Sequence, residues 1–170
     1  MTLTKGPVLV LGPEDGESYW QPGPHFGYMT VKVSQHNHPW NQLSIGTQVM
    51  PPGRHVRPHG HARNDEVLFF FEGTGHVVLD GETHPVEPGS IVVIGRYVEH
   101  SIHNDGPGDM KFFWLFNPPG LEQMVAYMGR PRTPGEPPPA EFERPADAAR
   151  MLEIAGYATP EEMRAAKKVF

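Results

Sequence analysis

Hydrophobic and polar residues alternate along short stretches of this chain. Residues 27–33 alternate with a period of two, which is typical of a half-buried β-strand. Turns rich in glycine and proline recur about every 8 to 12 residues, a spacing typical of an antiparallel sandwich or barrel. An all-β fold is therefore predicted. Its other predicted strands are 8–11 (a short edge strand), 43–50, 67–71, 76–80, 83–87, 91–94, 100–104 and 110–116.

The pattern changes after residue 117, where helical spacing replaces alternation. Residues 121–128 and 145–155 carry helical patterns, with Gly156 as a stop, and a proline-rich connector separates them. A last helix is predicted from Thr159 as N-cap, Pro160 at the first position and Glu162 three residues after the cap. We expect these short helices to pack outside the barrel or to close one end of it. No chemical role is predicted for them.

These changes divide the chain into three parts. Residues 1–40 are predicted to form an N-terminal arm with edge strands, and residues 41–117 a β-barrel core that contains a metal site. Residues 118–170 are predicted to form a helical extension packed on the barrel.

Composition narrows the range of partners. With 170 residues and a formal net charge of −6, the chain lacks the basic surface that binding to nucleic acid requires. It contains no cysteine, so disulfides, thiol nucleophiles and cysteine-type zinc sites are excluded. Neither a signal peptide nor a membrane span is predicted, and a cytoplasmic location is expected.

One stretch concentrates residues that bind metals. His59 and His61 are separated by a single residue, so on a strand both side chains point to the same face. Glu66 lies five positions beyond His61, after a turn-prone segment, and a returning strand would bring it beside the two histidines. An isolated pair of histidines is more often an ordinary surface feature. The glutamate at this spacing favours a metal site instead.

A fourth candidate lies in a second block of histidine-containing sequence. His100 follows a strand and a loop, and it opens the next predicted strand. Three imidazoles and one carboxylate are suited to a divalent transition metal. The sequence therefore predicts a metal site formed by His59, His61, Glu66 and His100.

Other polar residues nearby have weaker interpretations. His36 and His38 repeat the two-histidine spacing, but no carboxylate follows at a useful distance, and Pro39 favours a plain loop. His55 and Arg57 share the parity of His59, so both are expected to lie toward the interior or its mouth. Arg57 is a candidate for contacting an anionic group. A solvated arginine at the rim is an equally good interpretation.

With these residues in view, the chain resembles the cupin family. The first cupin motif is matched in full, and the second is matched with the right spacing except at two turn positions, where Gly95 replaces a proline and Tyr97 a glycine. The resemblance covers residues 40–117 and implies a double-stranded β-helix (jelly-roll) barrel. The motif residues are Gly53, His59, His61, Glu66 and Gly73 in the first, and Gly89, His100 and Asn104 in the second.

The resemblance also implies chemistry. The four ligands would hold one divalent transition metal per chain (Fe, Mn, Ni, Co, Cu or Zn), and Glu66 is a candidate catalytic base toward a small-molecule substrate. Chains similar to this one include quercetinase-like dioxygenases and are commonly homodimers. We expect first a dioxygenase that uses O2 on an aromatic or enolisable hydroxy-carbonyl substrate.

Aromatic residues on the strands bear on this expectation. Alternation sends about half of such side chains inward, and an aromatic lining would suit a flat apolar ligand. No cluster of lysine and arginine is apparent in the predicted interior. Two alternatives stay open: a non-oxidative cupin isomerase, lyase or cyclase, and a non-catalytic binding module. The aromatic residues concerned are Phe69, Phe70, Phe71, Phe112, Phe113, Trp114 and Phe116.

Overall fold

The computed structural model describes residues 5–38 and 42–167, and Pro39, Trp40 and Asn41 of the predicted loop lie outside the described residues. The fold is mostly β, as predicted, and its strands run antiparallel to their neighbours. The strands are β1 Glu17–Trp20, β2 Tyr28–Val33, β3 Ser44–Met50, β4 His55–His59, β5 Asp65–Glu72, β6 Gly75–Leu79, β7 Glu82–Val86, β8 Ile91–Ile94, β9 His100–Asn104, β10 Met110–Asn117 and β11 Arg130–Pro131.

Two sheets enclose the core. The larger has seven strands in the order β11-β1-β2-β3-β10-β5-β8, and the smaller has four in the order β4-β9-β6-β7. Strand β10 shows how alternation builds the barrel, because every second residue from Met110 to Phe116 is at most 1% exposed. Each such large apolar side chain contributes about 1.5 to 3 kcal/mol on burial.

The seven aromatic residues divide as alternation requires. Phe69 and Phe71 are 39% and 43% exposed on the outer face, and Phe113 is partly exposed. The other four are buried in the core: Phe70, Phe112, Trp114 and Phe116. Of these, Phe116 alone lines the internal cavity, so the core uses most of the inward aromatic rings for packing.

Two predictions about the first part of the chain were wrong or incomplete. Residues 8–11 form no strand, and Val8 and Val10 are 88% and 87% exposed. Strand β1 was missed because Glu17–Trp20 is too short to show an alternation. It pairs with β2, so this part of the chain extends the same sheet that contains β3.

The predicted helices are present after β10. They are α1 Leu121–Met128, α2 Ala148–Ala155 and α3 Pro160–Ala165. The Thr159 side chain accepts from the Glu162 backbone N–H, and the Glu162 carboxylate accepts from the Thr159 backbone, which completes the predicted capping box. Gly156 ends α2 in the left-handed conformation with φ 61°. No helix within the described ranges has the length and apolar character needed to cross a membrane.

The C-terminal extension contacts the barrel beside the histidine pair. The Ala62 N–H donates to the Gly156 carbonyl at 2.9 Å, and the Ala158 N–H donates to the Gly60 carbonyl at 2.7 Å. The extension therefore contacts the end of the barrel where the candidate metal residues lie.

Candidate metal centre

Three strands and one loop position the four candidate metal ligands. His59 is the last residue of β4 and pairs with His100, the first residue of β9. Glu66, the second residue of β5, pairs with Phe116 on one side and Ile94 on the other. His61 follows β4 and forms an isolated antiparallel bridge with Tyr157. The structure thus brings together residues that are up to 41 positions apart in the chain.

The four side chains form a compact and buried cluster. Each offers one ligand atom, and these atoms all lie within 4.8 Å of one another. His61, Glu66 and His100 are 2%, 5% and 1% exposed, and His59 is partly exposed. Glu66 Oε2 is 3.0 Å from His100 Nε2 and 3.5 Å from His61 Nε2.

Backbone carbonyls orient two of the imidazoles. The Nδ1–H of His59 donates to the Arg57 carbonyl at 2.8 Å, and the Nδ1–H of His100 donates to the Val98 carbonyl at 2.9 Å. Because a neutral imidazole carries one proton, each ring then has its lone pair on Nε2, toward the cluster. Hydrogen bonds of this kind fix metal-binding histidines in many metal sites.

Several buried polar atoms of the cluster lack a hydrogen-bond partner among the described residues. They are both ring nitrogens of His61, Glu66 Oε2 and His100 Nε2. Such atoms cost about 1 to 3 kcal/mol each when left unsatisfied, so they commonly mark a missing ligand or ion. The donor set of three imidazoles and a carboxylate fits a divalent transition metal, and the group could hold one.

Electrostatics favour an ionised Glu66 and a neutral His59, which are the protonation states that a metal site needs. Burial raises the pKa of Glu66, but the neighbouring His100 and His61 outweigh this effect and hold the pKa below its usual range. Burial lowers the pKa of His59 well below its usual value, and repulsion from His100 and His61 adds to the effect. For His100, burial lowers the pKa but the Glu66 carboxylate outweighs it, so the pKa is raised. A bound cation would replace the imidazolium as the positive partner of Glu66.

Hydrogen bonds hold the two turns of the second motif. Tyr97 stands where the family has a glycine, and it adopts the left-handed conformation with φ 66°. Its N–H donates to the His61 carbonyl at 2.8 Å, which compensates for part of the strain. The Asn104 side chain donates to the Met50 carbonyl at 2.7 Å and to the Gly108 carbonyl at 2.9 Å, and so holds the turn after β9.

The other histidines lie elsewhere. His36 is in the turn after β2, and neither it nor His38 belongs to the cluster. His55 lines the cavity beside the cluster, in agreement with the expectation that it lies toward the interior or its mouth. It stacks on His103, with ring centroids 5.4 Å apart, and a register shift between Val56 and His59 interrupts the pairing of β4.

A cavity of about 300 Å³ adjoins the cluster, and His59 and Glu66 line it. Most of its other lining side chains are apolar, including Met29, Ile102 and Met163. Its volume suits a small molecule. The inner faces of both sheets and the C-terminal extension all contribute to this cavity.

Four polar residues of the cavity wall were not singled out from the sequence. Gln48 lies on β3, and its amide donates to His25 Nε2 at 2.7 Å. Tyr157 contacts the rings of His59 and His61, with centroid distances of 5.2 and 5.6 Å. The fourth is Arg144, which precedes α2. Of these four, only Gln48 could have been found from the sequence, because its position in a predicted strand indicates which face of the sheet it lies on. His25, Arg144 and Tyr157 reach the cavity from irregular segments, which have no such pattern.

Two expectations about the interior therefore change. Arg57 and Arg144 both line the cavity, so its wall contains two arginines where no cluster of lysine and arginine was apparent from the sequence. The C-terminal extension, for which no chemical role was predicted, supplies Arg144 and Tyr157. Arg57 lines the cavity and its side chain is exposed, which is compatible with both interpretations given for it, a residue at the mouth and a solvated arginine at the rim.

Comparison with known proteins supports this interpretation of the fold. Residues 46–116 match the family model for the cupin domain. Relatives matched in part include an L-ectoine synthase from Saccharopolyspora erythraea, 34% identical over 66 residues, 38% of this chain and 47% of the relative. A second is the polyketide synthase CurC from Streptomyces cyaneus, 28% identical over 74 residues, 44% of this chain and 48% of the relative. The chain spans about half the length of these curated relatives.

Solved structures show the same fold at low sequence identity. A protein from Thermotoga maritima, described as a predicted oxalate decarboxylase, superposes with a TM-score of 0.57 and 21% identity, covering 65% of this chain and 98% of its own. KdgF from a Halomonas species gives a TM-score of 0.51 and 22% identity, covering 58% of this chain and 84% of its own. The family model and this shared fold therefore identify residues 46–116 as a cupin domain.

Proposed function

We propose that this chain is a metal-dependent enzyme that acts on a small molecule bound in the cavity. The observation that carries the proposal is the position of the His59, His61, Glu66 and His100 cluster against the cavity wall. Buried nitrogen and oxygen atoms of this cluster lack hydrogen-bond partners among the described residues. This favours a metal-dependent enzyme over a non-catalytic binding module. When bound, a divalent ion would act as a Lewis acid and as a template for a substrate oxygen.

Glu66 is the proposed proton acceptor as well as a metal ligand. Its pKa is held low, so it is ionised near neutral pH, and it lines the cavity where a substrate would lie. Replacement of Glu66 by Gln tests this role under saturating metal. Full activity of Glu66→Gln with its metal retained would rule out the base role.

A non-oxidative reaction, in which the substrate carbonyl is polarised and a proton is moved, is the reaction class that we favour. The relatives named above carry the words synthase and decarboxylase, and none carries the name of an oxygenase. The cavity wall also offers polar groups suited to holding oxygen atoms, among them Gln48 and Tyr157.

A dioxygenase remains the second candidate. The observation in its favour is the mainly apolar wall of the cavity, which suits an enolisable aromatic substrate. The weak point of this candidate is that Phe116 is the one member of the seven-residue aromatic set that reaches the cavity.

Two measurements test the proposal and separate its candidates. Protein purified without a metal-affinity tag should contain about one divalent ion per chain by elemental analysis, or should bind one on titration. A panel of hydroxy-carbonyl substrates is then assayed with and without oxygen. Turnover under strict anaerobiosis supports the non-oxidative class, and oxygen uptake supports the dioxygenase. A chain that binds none of the six candidate metals would overturn the proposal.

We further propose that the chain forms a homodimer, with a cytoplasmic location as the expectation from its sequence. Strand β8 is the last strand of its sheet, and Ile91 and Val93 on its outer face are 65% and 70% exposed beside Phe69 and Phe71. Exposed apolar patches of this kind commonly mark interfaces. Analytical ultracentrifugation of the chain and of Val93→Glu tests this, since the substitution should yield monomers.

A further inference from the structure

Arg57 and Arg144 differ from several other arginines of the chain in their surroundings. Both line the cavity, and neither forms an ion pair with a carboxylate among the described residues. Arginines that do form such pairs are Arg54 with Glu141, Arg96 with Asp65, Arg132 with Glu14 and Arg150 with Glu153.

Arg144 is held in place by its neighbours in the chain. The Phe142 carbonyl accepts from the Gly23 N–H at 3.1 Å, and the Arg130 guanidinium lies over the Phe142 ring, 4.1 Å from its centroid. Glu141 is bound to Arg54 at 2.7 Å. The segment before α2 is thus attached to the barrel at several points, which gives Arg144 a defined position in the cavity wall.

The guanidinium of Arg144 is poorly satisfied where it lies. Its side chain is partly buried, and its Nε atom is buried without a hydrogen-bond partner among the described residues. Burial lowers the pKa of Arg144, and the positive charge of Arg57 lowers it further, while Tyr157 and Glu143 act in the opposite direction. The partly buried charge of Arg144 is costly unless an anion binds it, whereas the exposed Arg57 keeps its contact with water.

Arg57 lies next to the candidate metal residues. Its carbonyl accepts from His59 Nδ1 at 2.8 Å, so its backbone is one hydrogen bond from the cluster while its side chain lines the cavity. Glu99 also lines the cavity, yet it pairs with neither arginine. The cavity wall therefore contains two arginines that form no ion pair among the described residues, together with the carboxylates of Glu66 and Glu99.

We propose that Arg57 and Arg144 form a carboxylate-binding subsite of the cavity, so that the substrate is a small carboxylic acid. This inference rests on the proposed function, since it names the class of molecule that the same cavity takes. Guanidinium groups bind carboxylates through charge-assisted and often bidentate hydrogen bonds. The subsite would orient the acid while its other oxygen atoms face the metal residues.

The test compares acids with their neutral amides. Acetate and benzoate are titrated against acetamide and benzamide by ligand-observed NMR, using the full chain both loaded with Zn²⁺ and stripped by a chelator. Each carboxylate should bind at least about tenfold more tightly than its amide, and the preference should weaken as salt is added. The two metal states separate binding by arginine from binding by the ion.

Substitutions test whether the two arginines are the groups that bind the carboxylate. Arg144→Gln and Arg57→Gln should each weaken carboxylate binding about tenfold, and Arg144→Lys should weaken it less because it keeps the charge. Arg150→Gln, on the exposed side of α2, is the matched control and should change nothing. Thermal unfolding of each variant confirms that it folds, and the exposed Arg57 offers a change that the fold should tolerate.

The outcomes are distinct. If neither acid binds more tightly than its amide, or if Arg57→Gln and Arg144→Gln both bind benzoate as the parent chain does, the subsite is overturned. That result would leave the proposed metal-dependent function standing, because metal binding by the same variants is measured separately by titration. If the chain binds acids through these arginines but takes up no divalent ion, the proposed function fails while the subsite stands.

Discussion

Tyr157 forms an antiparallel backbone bridge with His61, and its ring lies 5.6 Å from the His61 ring and 5.2 Å from the His59 ring. The C-terminal extension therefore contacts the candidate metal residues directly. The phenol donates to the sulfur of Met124 at 2.7 Å, a weak acceptor, and burial raises the pKa of Tyr157 above its usual value. The ring is thus a neutral, packed support for two of the imidazoles.

Loss of the Tyr157 ring should weaken metal binding. Tyr157→Ala should lower the affinity for Zn²⁺ or Ni²⁺ about tenfold, because supporting contacts of metal ligands typically contribute that much. Tyr157→Phe is the matched control: it keeps the ring and should bind metal within about twofold of the parent chain. Chelator competition measures the affinity. Equal affinities for the Ala and Phe variants would show that the ring does not support the site.

Removal of His100 should abolish tight metal binding. His100 lies at the centre of the cluster, 3.0 Å from Glu66 Oε2, and it is 1% exposed. We expect His100→Ala to lose about a hundredfold or more in metal affinity, since a site with four protein ligands loses one of them. His84→Ala, at an exposed position on β7, is the control and should retain full metal content by elemental analysis. Undiminished metal in His100→Ala would place the ion elsewhere.

The sequence predicts most of the barrel strands, because short apolar or alternating segments are bounded by turn residues. In β10 almost every residue is apolar, so the sequence predicts a strand but does not show that Phe112 and Trp114, rather than Phe113 and Leu115, face the core. The four clustered residues were predicted by their spacing, and the structure places them together. In both cases, the local sequence carries the information.

Features that depend on tertiary contacts were not predictable in this way. The register shift between Val56 and His59 in β4 is one such feature, because no local pattern reveals it. Val8 and Val10 read as a strand, but the structure gives them no strand to pair with. Arg144 and Tyr157 reach the cavity from the C-terminal extension, and their roles depend on how that extension folds back over the barrel.

The contact between Gly46 and Trp114 should make Gly46 intolerant of substitution. Strands β3 and β10 pair at these two residues, and a Cβ atom on Gly46 would clash with the indole of Trp114 and with the Thr30 carbonyl. Gly46→Ala should therefore lower the free energy of unfolding by about 1 to 3 kcal/mol. Gly108→Ala is the matched control, because nothing lies within 4 Å of its Cβ position. Denaturant unfolding that leaves both variants equally stable would contradict this.

His25 should make the stability of the fold depend on pH. Burial lowers the pKa of His25 from 6.5 to about 3. The Gln48 amide donates to His25 Nε2 at 2.7 Å, an arrangement that requires a lone pair on Nε2 and therefore a neutral ring. Between pH 6.5 and about 3 the unfolded chain binds a proton at this position, whereas the folded chain does not. The contribution of His25 to stability is thus fully present above pH 6.5 and is lost as the pH falls toward 3.

At pH 5 this linkage should cost about 2 kcal/mol relative to pH 8, since each unit of difference in pKa corresponds to about 1.4 kcal/mol. His25→Gln removes the titrating group, so its unfolding free energy should fall less over the same range, by about 2 kcal/mol. The metal residues contribute their own pH dependence, but they are the same in both proteins and cancel when the two are compared in the same metal state. Denaturant titrations at pH 5, 6, 7 and 8 give the two profiles. If the unfolding free energies of the two proteins fall equally with pH, His25 is protonated in the folded chain. Its Nε2 would then have no lone pair to accept the hydrogen bond from Gln48.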